Sequence, residues 1–230
     1  MKSETPASKY EKFVASYLRL NGFFTVPNFI VHAADDKKRI SGGSIGNYTE
    51  TDIIGVRMPH SNEKTGDLHI ANDPVLVNGA IGKFDVVIAE VKSGKKNREL
   101  NSVWHGEHAI TVGRYITRFV GLHREDQIEA VAQNLVTAFR FEDDRTRFRH
   151  IVFANKPNKH FQKKGLTYIT FQQVIEFIVL VRGQCWINAN IGVASAHSQW
   201  DDLLVDVFSI ANKQESPAEC IRQIKSMLDN

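Results

Sequence analysis

The stretch Phe84-Asp85-Val86-Val87-Ile88-Ala89-Glu90-Val91-Lys92 decides how this chain is read. It is dense in β-branched residues and stops at Ser93-Gly94, so it predicts a buried strand. Side chains alternate across a strand, which puts Glu90 and Lys92 on one face behind Phe84, Val86 and Ile88. By the same parity Asp85 points the other way and is expected to be structural. Charge inside a core strand is costly unless it is paired or binds a metal. A charged tip on such a strand is therefore a candidate site. Thr51-Asp52-Ile53-Ile54-Gly55-Val56 repeats the oddity, with one carboxylate in an otherwise apolar run that also predicts a buried strand.

Outward from these strands, Tyr10 to Leu20 predicts an amphipathic helix, with Phe13, Val14, Tyr17 and Leu18 at helical spacing and Asn21-Gly22 as its stop. Phe23 to Val31 predicts a strand in which Pro27 signals an edge or a bulge. Residues 35–47 predict a charged, Gly-rich loop. Its Gly42-Gly43-Ser44-Ile45-Gly46 lacks the Gly-Lys-Ser/Thr ending of a phosphate loop. Residues 59–82 are loop-like. Helices are predicted over His108–Leu122, Glu125–Phe139, Phe171–Val181, Trp200–Ala211 and Pro217–Leu228, with strands at Arg149–Ala154 and Thr167–Thr170. This order predicts an α/β sandwich around a mixed sheet. Residues 1–180 form its core, and residues 181–230 are a helical extension packed on it, one domain overall.

The composition of these 230 residues, 42% apolar and 24% charged, is that of a globular chain with a real core. A net charge of +3 permits a nucleic-acid partner without demanding one. Two cysteines, Cys185 and Cys220, make no disulfide framework, and the nine histidines show no zinc-ligand spacing. The N-terminus has no apolar signal region and no stretch has the apolar length of a membrane span, so a cytoplasmic protein without a membrane partner is expected.

Two carboxylates at neighbouring strand ends suit Mg²⁺, a hard cation that prefers oxygen. Such an ion polarises a phosphoryl oxygen and lowers the pKa of bound water. A lysine beside it can orient that water or stabilise developing charge. Asp52, a long gap, then Glu90-Val91-Lys92 at a strand end resembles the PD-(D/E)xK pattern of restriction-endonuclease-like nucleases, with Thr51 where proline is usual. The resemblance covers residues 8–175. It implies a three-layer restriction-endonuclease-like α/β core, a central mixed sheet flanked by helices, with C-terminal helices added. It implies Mg²⁺-dependent hydrolysis of DNA, Mn²⁺ substituting, with a 5′-phosphate product. Asp52, Glu90 and Lys92 would be catalytic. Asp52, Glu90 and the backbone carbonyl of Val91 would bind metal, with Glu11 of the first helix as an additional metal or structural carboxylate. Gln172 and Gln173 stand where some relatives carry an active-site glutamine.

Each residue also has a plainer reading. Glu90 and Lys92 could form an exposed strand-end ion pair, worth little. Asp52 could cap a turn, and Glu50 is expected to be a solvated loop acid. Lys95, Lys96 and Arg98 after the motif, and Lys156, Lys159, His160, Lys163 and Lys164 around Phe161, are candidate DNA contacts or ordinary charged loops. The long segment between Asp52 and Glu90 must hold an insertion or extra strands, a candidate substrate-reading element. Trp104, Trp186 and Trp200 are expected to pack. DNA is the expected partner, with a homodimer or a partner subunit compatible with the resemblance. The rival expectation is a non-catalytic nucleic-acid- or protein-binding module on the same fold.

Overall fold

A computed structural model describes residues 5–32, 48–65, 67–94, 99–105, 108–188, 202–213 and 216–230. The first helix, α1 (Pro6–Leu20), starts where the Thr5 side chain accepts the Ser8 N–H at 3.3 Å with proline in the first turn. It ends at Asn21, and Gly22 reverses the chain at φ 83, a left-handed conformation that glycine enters freely. Strands β1 (Phe23–His32), β2 (Tyr48–Arg57) and β5 (Phe84–Lys92) follow as an antiparallel meander. The chain then crosses through α3 (Ala109–Val120) and α4 (Glu125–Thr137) to β7 (Thr146–Ala154), which pairs parallel with β5. Two short strands share the outer edge of β7. Strand β6 (Arg140–Glu142) runs antiparallel along its first half, and β8 (Thr167–Thr170) runs parallel along its second. The result is a mixed six-stranded sheet in the order β1-β2-β5-β7-β6, with β8 beside β7.

Helices cover both faces, as the apolar alternation of the central strands requires. On one face, Tyr10, Phe13, Val14, Tyr17 and Leu18 of α1 pack with Ile53, Val87, Ala89, Ile151 and Phe153. On the other, Val112, Ile116, Val131 and Leu135 of α3 and α4 meet Ile54, Val86, Ile88, Phe148 and Val152. There, Gly113 lets the two helices close up, since a Cβ on it would stand 3.1 Å from that of Ala132. The C-terminal α8 (Asp202–Lys213) and α9 (Pro217–Asp229) add Leu204, Val207, Phe208, Ile224 and Leu228 to the α1-side core. Tyr10 also donates to Asp229 at 2.7 Å.

The structure differs from the sequence reading at three places. Residues 59–82 are not loop throughout: as the length between Asp52 and Glu90 led us to expect, extra strands lie there, β3 (Glu63–Thr65) paired with β4 (Leu68–Ile70), and so does an unexpected turn of helix, α2 (Pro74–Val77). Long-range partners hold it. Glu63 takes Arg182 Nη1 at 2.5 Å and the Trp186 indole at 3.1 Å, pairings that no local pattern announces. Trp104 and Trp186 are nevertheless buried, as packing predicts, while Trp200 lies outside the described residues. The helix from Phe171 runs on to Asn188, as α6 (Phe171–Glu176), a π-helical stretch (Phe177–Gly183) and α7 (Gln184–Asn188). Strand β6 carries no signal in the sequence, because its three residues gain their ladder only from β7. No helix among the described residues is long and apolar enough to cross a membrane.

Candidate active site

The β2–β5 ladder stops at Ile53↔Ala89, while β5 continues beside β7 as far as Lys92↔Ala154. The end of β5 therefore projects past its last rung to β2. Val91 lies two residues beyond that rung, and its N–H is taken by Asp52 Oδ2 at 2.6 Å. Glu90 is 1% exposed. Its Oε2 accepts from Lys92 Nζ at 2.9 Å, and its Oε1 is buried with no partner. Asp52, Glu90 and Lys92 are thus brought together, and the ion pair is not the exposed one of the plainer reading. The Glu90 side chain is 2% exposed and that of Lys92 16%.

Burial dominates the electrostatics. It pushes the Glu90 carboxyl up to about 7, with Lys92 pulling down and Asp52 adding to the rise. Asp52 is also raised by burial, against the opposing pull of the Val91 N–H and Lys92. Glu11 is raised by burial first, then by the charges of Asp52 and Glu50, so it feels the same negative neighbourhood from α1. Glu50 is exposed, as expected, but stands in β2 and not in a loop. Among the described residues no three His, Cys, Asp or Glu side chains gather into a metal-holding group. Asp52 and Glu90 still fit a hard cation. They offer carboxylate oxygen, and the orphan Glu90 Oε1 needs a cation or a donor, as buried polar atoms do.

Lys95, Lys96 and Arg98 lie outside the described residues. Lys156 and the exposed Lys159, Lys163 and Lys164 follow β7 past the rung that joins it to Lys92. This segment leans on the exit of β5, with Asn155 Nδ2 on the Ser93 carbonyl at 3.4 Å and Asn158 Nδ2 on Glu99 at 3.3 Å. The basic stretch is a short helix rather than a loop, α5 (Lys159–Lys163), because the Asn158 side chain caps it. Gln173 is spoken for in a capping box with Thr170, and Gln172 donates to Glu176 at 2.9 Å, so local bonds account for both. The segment 57–83 leaves β2 at Arg57 and enters β5 at Phe84, the sheet end away from Lys92. Its roots therefore do not border the carboxylates.

Two features had no advance signal. His150 on β7 is buried with both ring nitrogens unpartnered, its ring 4.1 Å from that of Trp104, and burial pushes its pKa down to about 3. Asn28, across the sheet from Asp52, has φ 51.

No family model, no curated protein and no solved structure matches this chain.

Proposed function

We propose that the chain is a metal-dependent phosphodiesterase of the PD-(D/E)xK class, built on a restriction-endonuclease-like core. In particular, we read it as a Mg²⁺-dependent deoxyribonuclease acting endonucleolytically in restriction or defence, repair or recombination, with Mn²⁺ as a substitute. One observation carries the reading. The buried Glu90 carboxylate keeps one oxygen without a partner, beside Asp52 and the half-buried Lys92. The element order supports it: a helix, an antiparallel three-strand meander, helices, then a strand parallel to the third.

Asp52, Glu90 and the Val91 carbonyl would hold the cation, which when bound polarises a phosphoryl oxygen and activates water. The Val91 N–H fixes the Asp52 carboxylate, so its orientation does not have to be found when substrate arrives. Lys92, tethered 2.9 Å from Glu90, keeps its ammonium in the site instead of dispersing it into solvent. There it would orient the attacking water or stabilise charge growing on phosphate. Lys159, Lys163 and Lys164 would hold the DNA backbone beside the cleaved bond.

Supercoiled plasmid incubated in Mg²⁺, Mn²⁺ or EDTA, with Lys92→Ala alongside, tests this. Metal-dependent nicking or linearisation that the folded variant lacks is the expected result. Equal cleavage by the variant overturns the site. No cleavage of plasmid, single strands or branched DNA by either would favour a non-catalytic binding module, or an enzyme completed by a partner subunit.

A further inference from the structure

Asn28 and Asp52 oppose one another across the β1–β2 ladder. Pro27 pairs with Ile53 and Phe29 with Thr51, and the rung between them is missing. Asn28 sits at φ 51, a left-handed conformation that a residue bearing a Cβ enters only at a cost. Its consequence shows in the packing. Phe23 lies in the α1-side core, yet Phe29 and Val31, of the same parity, lie in the α3-side core. The Phe29 ring meets Phe119 of α3 at 4.2 Å. A regular strand would keep all three on one face. The neighbouring strand turns over at the same rung. Directly opposed residues share a face, so Thr51 follows Phe29 while Ile53, two residues on, points into the α1-side core. Asp52 stands at this turn-over, and its carboxylate reaches the Val91 N–H.

We propose that Asn28 is a positioning residue for Asp52: its left-handed backbone turns the Asn28–Asp52 rung over and aims the Asp52 carboxylate at the end of β5. Asparagine tolerates this conformation better than most residues with a Cβ, and a β-branched residue resists it. The inference rests on the reading of Asp52 as part of the site.

The test compares Asn28→Gly, which keeps the left-handed backbone and removes the amide, with Asn28→Val, which opposes that backbone. Asn28→Ala replaces the valine variant if that one does not fold. Three quantities are read on the full chain: hydrogen exchange of the Val91 amide by NMR, Mn²⁺ affinity by calorimetry, and melting temperature. In Asn28→Val, Val91 is expected to lose protection and Mn²⁺ affinity to fall about 10–100-fold, the usual cost of losing an outer partner of a metal ligand. Asn28→Gly keeps both near their starting values. Unchanged Val91 exchange in a folded Asn28→Val overturns the proposal, as does equal damage in both variants. Absence of Mn²⁺ binding to the unmodified protein would overturn the metal reading alone, because Val91 exchange still decides the role of Asn28.

Discussion

Strand β5 carries two buried carboxylates with opposite fates. Asp85, at its start, is 0% exposed and Glu90, near its end, is 1% exposed. Asp85 is closed on every side. Its Oδ1 accepts from Arg147 Nε at 3.0 Å and Arg149 Nε at 3.2 Å, and its Oδ2 from the Nη2 of each at 2.7 Å. The same guanidinium groups reach on to the carbonyls of Leu76 and Asn78, tying α2 to β7. Glu90 has one ammonium and an oxygen left over. Two arginines saturate a carboxylate and lock a fold. One lysine leaves acceptor capacity for a further ligand. Completeness of the hydrogen bonding, rather than burial, separates the structural acid from the proposed catalytic one.

The sharpest way to break that contrast is a pair of isosteric amides. Glu90→Gln is expected to lower metal-dependent cleavage by more than about 10–100-fold, the scale on which losing even an outer partner of a metal ligand acts. Its melting temperature should stay within about 4 °C, the shift of roughly 1 kcal/mol in a chain of this size. Asp85→Asn should do the reverse. Breaking one side of a buried pair costs about 3–5 kcal/mol, and urea unfolding should register this as a lower midpoint. Remaining folded protein should keep its cleavage rate per active molecule. If Glu90→Gln unfolds the chain and Asp85→Asn does not, the two roles have been assigned the wrong way round.

His150 sharpens the comparison from the other side, as a buried polar group with no partner and no proposed chemistry. Its folded pKa, about 3, lies below the ordinary 6.5. Between those values the unfolded chain binds a proton that the folded chain refuses. The stability gained is complete above about 6.5 and is lost as pH falls towards 3, at up to about 1.4 kcal/mol per pH unit. His150→Leu should flatten the acid limb of a stability profile measured by denaturant titration. An unchanged slope would mean that His150 does not titrate this way. The smallest expected effect is at α5. Replacing Lys159, Lys163 and Lys164 together by alanine should reduce the salt dependence of DNA binding by about 0.7–0.9 in log–log slope for each phosphate no longer neutralised. Binding measured without metal, with the same slope in variant and parent, would remove α5 from the DNA path.

Much of this was legible from local pattern. The alternation in 84–92 announced that Glu90 and Lys92 share a face and that Asp85 turns away, because side-chain direction in a strand depends only on parity. The apolar spacing of Tyr10 to Leu20 announced the helix that packs on the sheet. Other features were not legible, since each depends on residues distant in sequence. Arg149 opens the strand predicted over Arg149–Ala154 and Arg147 precedes it, and nothing local pairs either with Asp85 until the parallel register sets them beside it. Glu63 reads as a loop acid until Arg182 and Trp186 arrive. The turn-over at Asn28 leaves no mark on composition or period.

Local pattern alone thus yields the set of unusual residues and the faces on which regular strands would present them. Those follow from backbone geometry repeated along a few residues. Long-range packing settles which charges are saturated, that the β2–β5 ladder stops one rung short of Asp52 and Glu90, and that Asp52 meets the Val91 N–H instead of entering a core. These depend on register between strands, and register is set by the packing of both faces of the sheet at once.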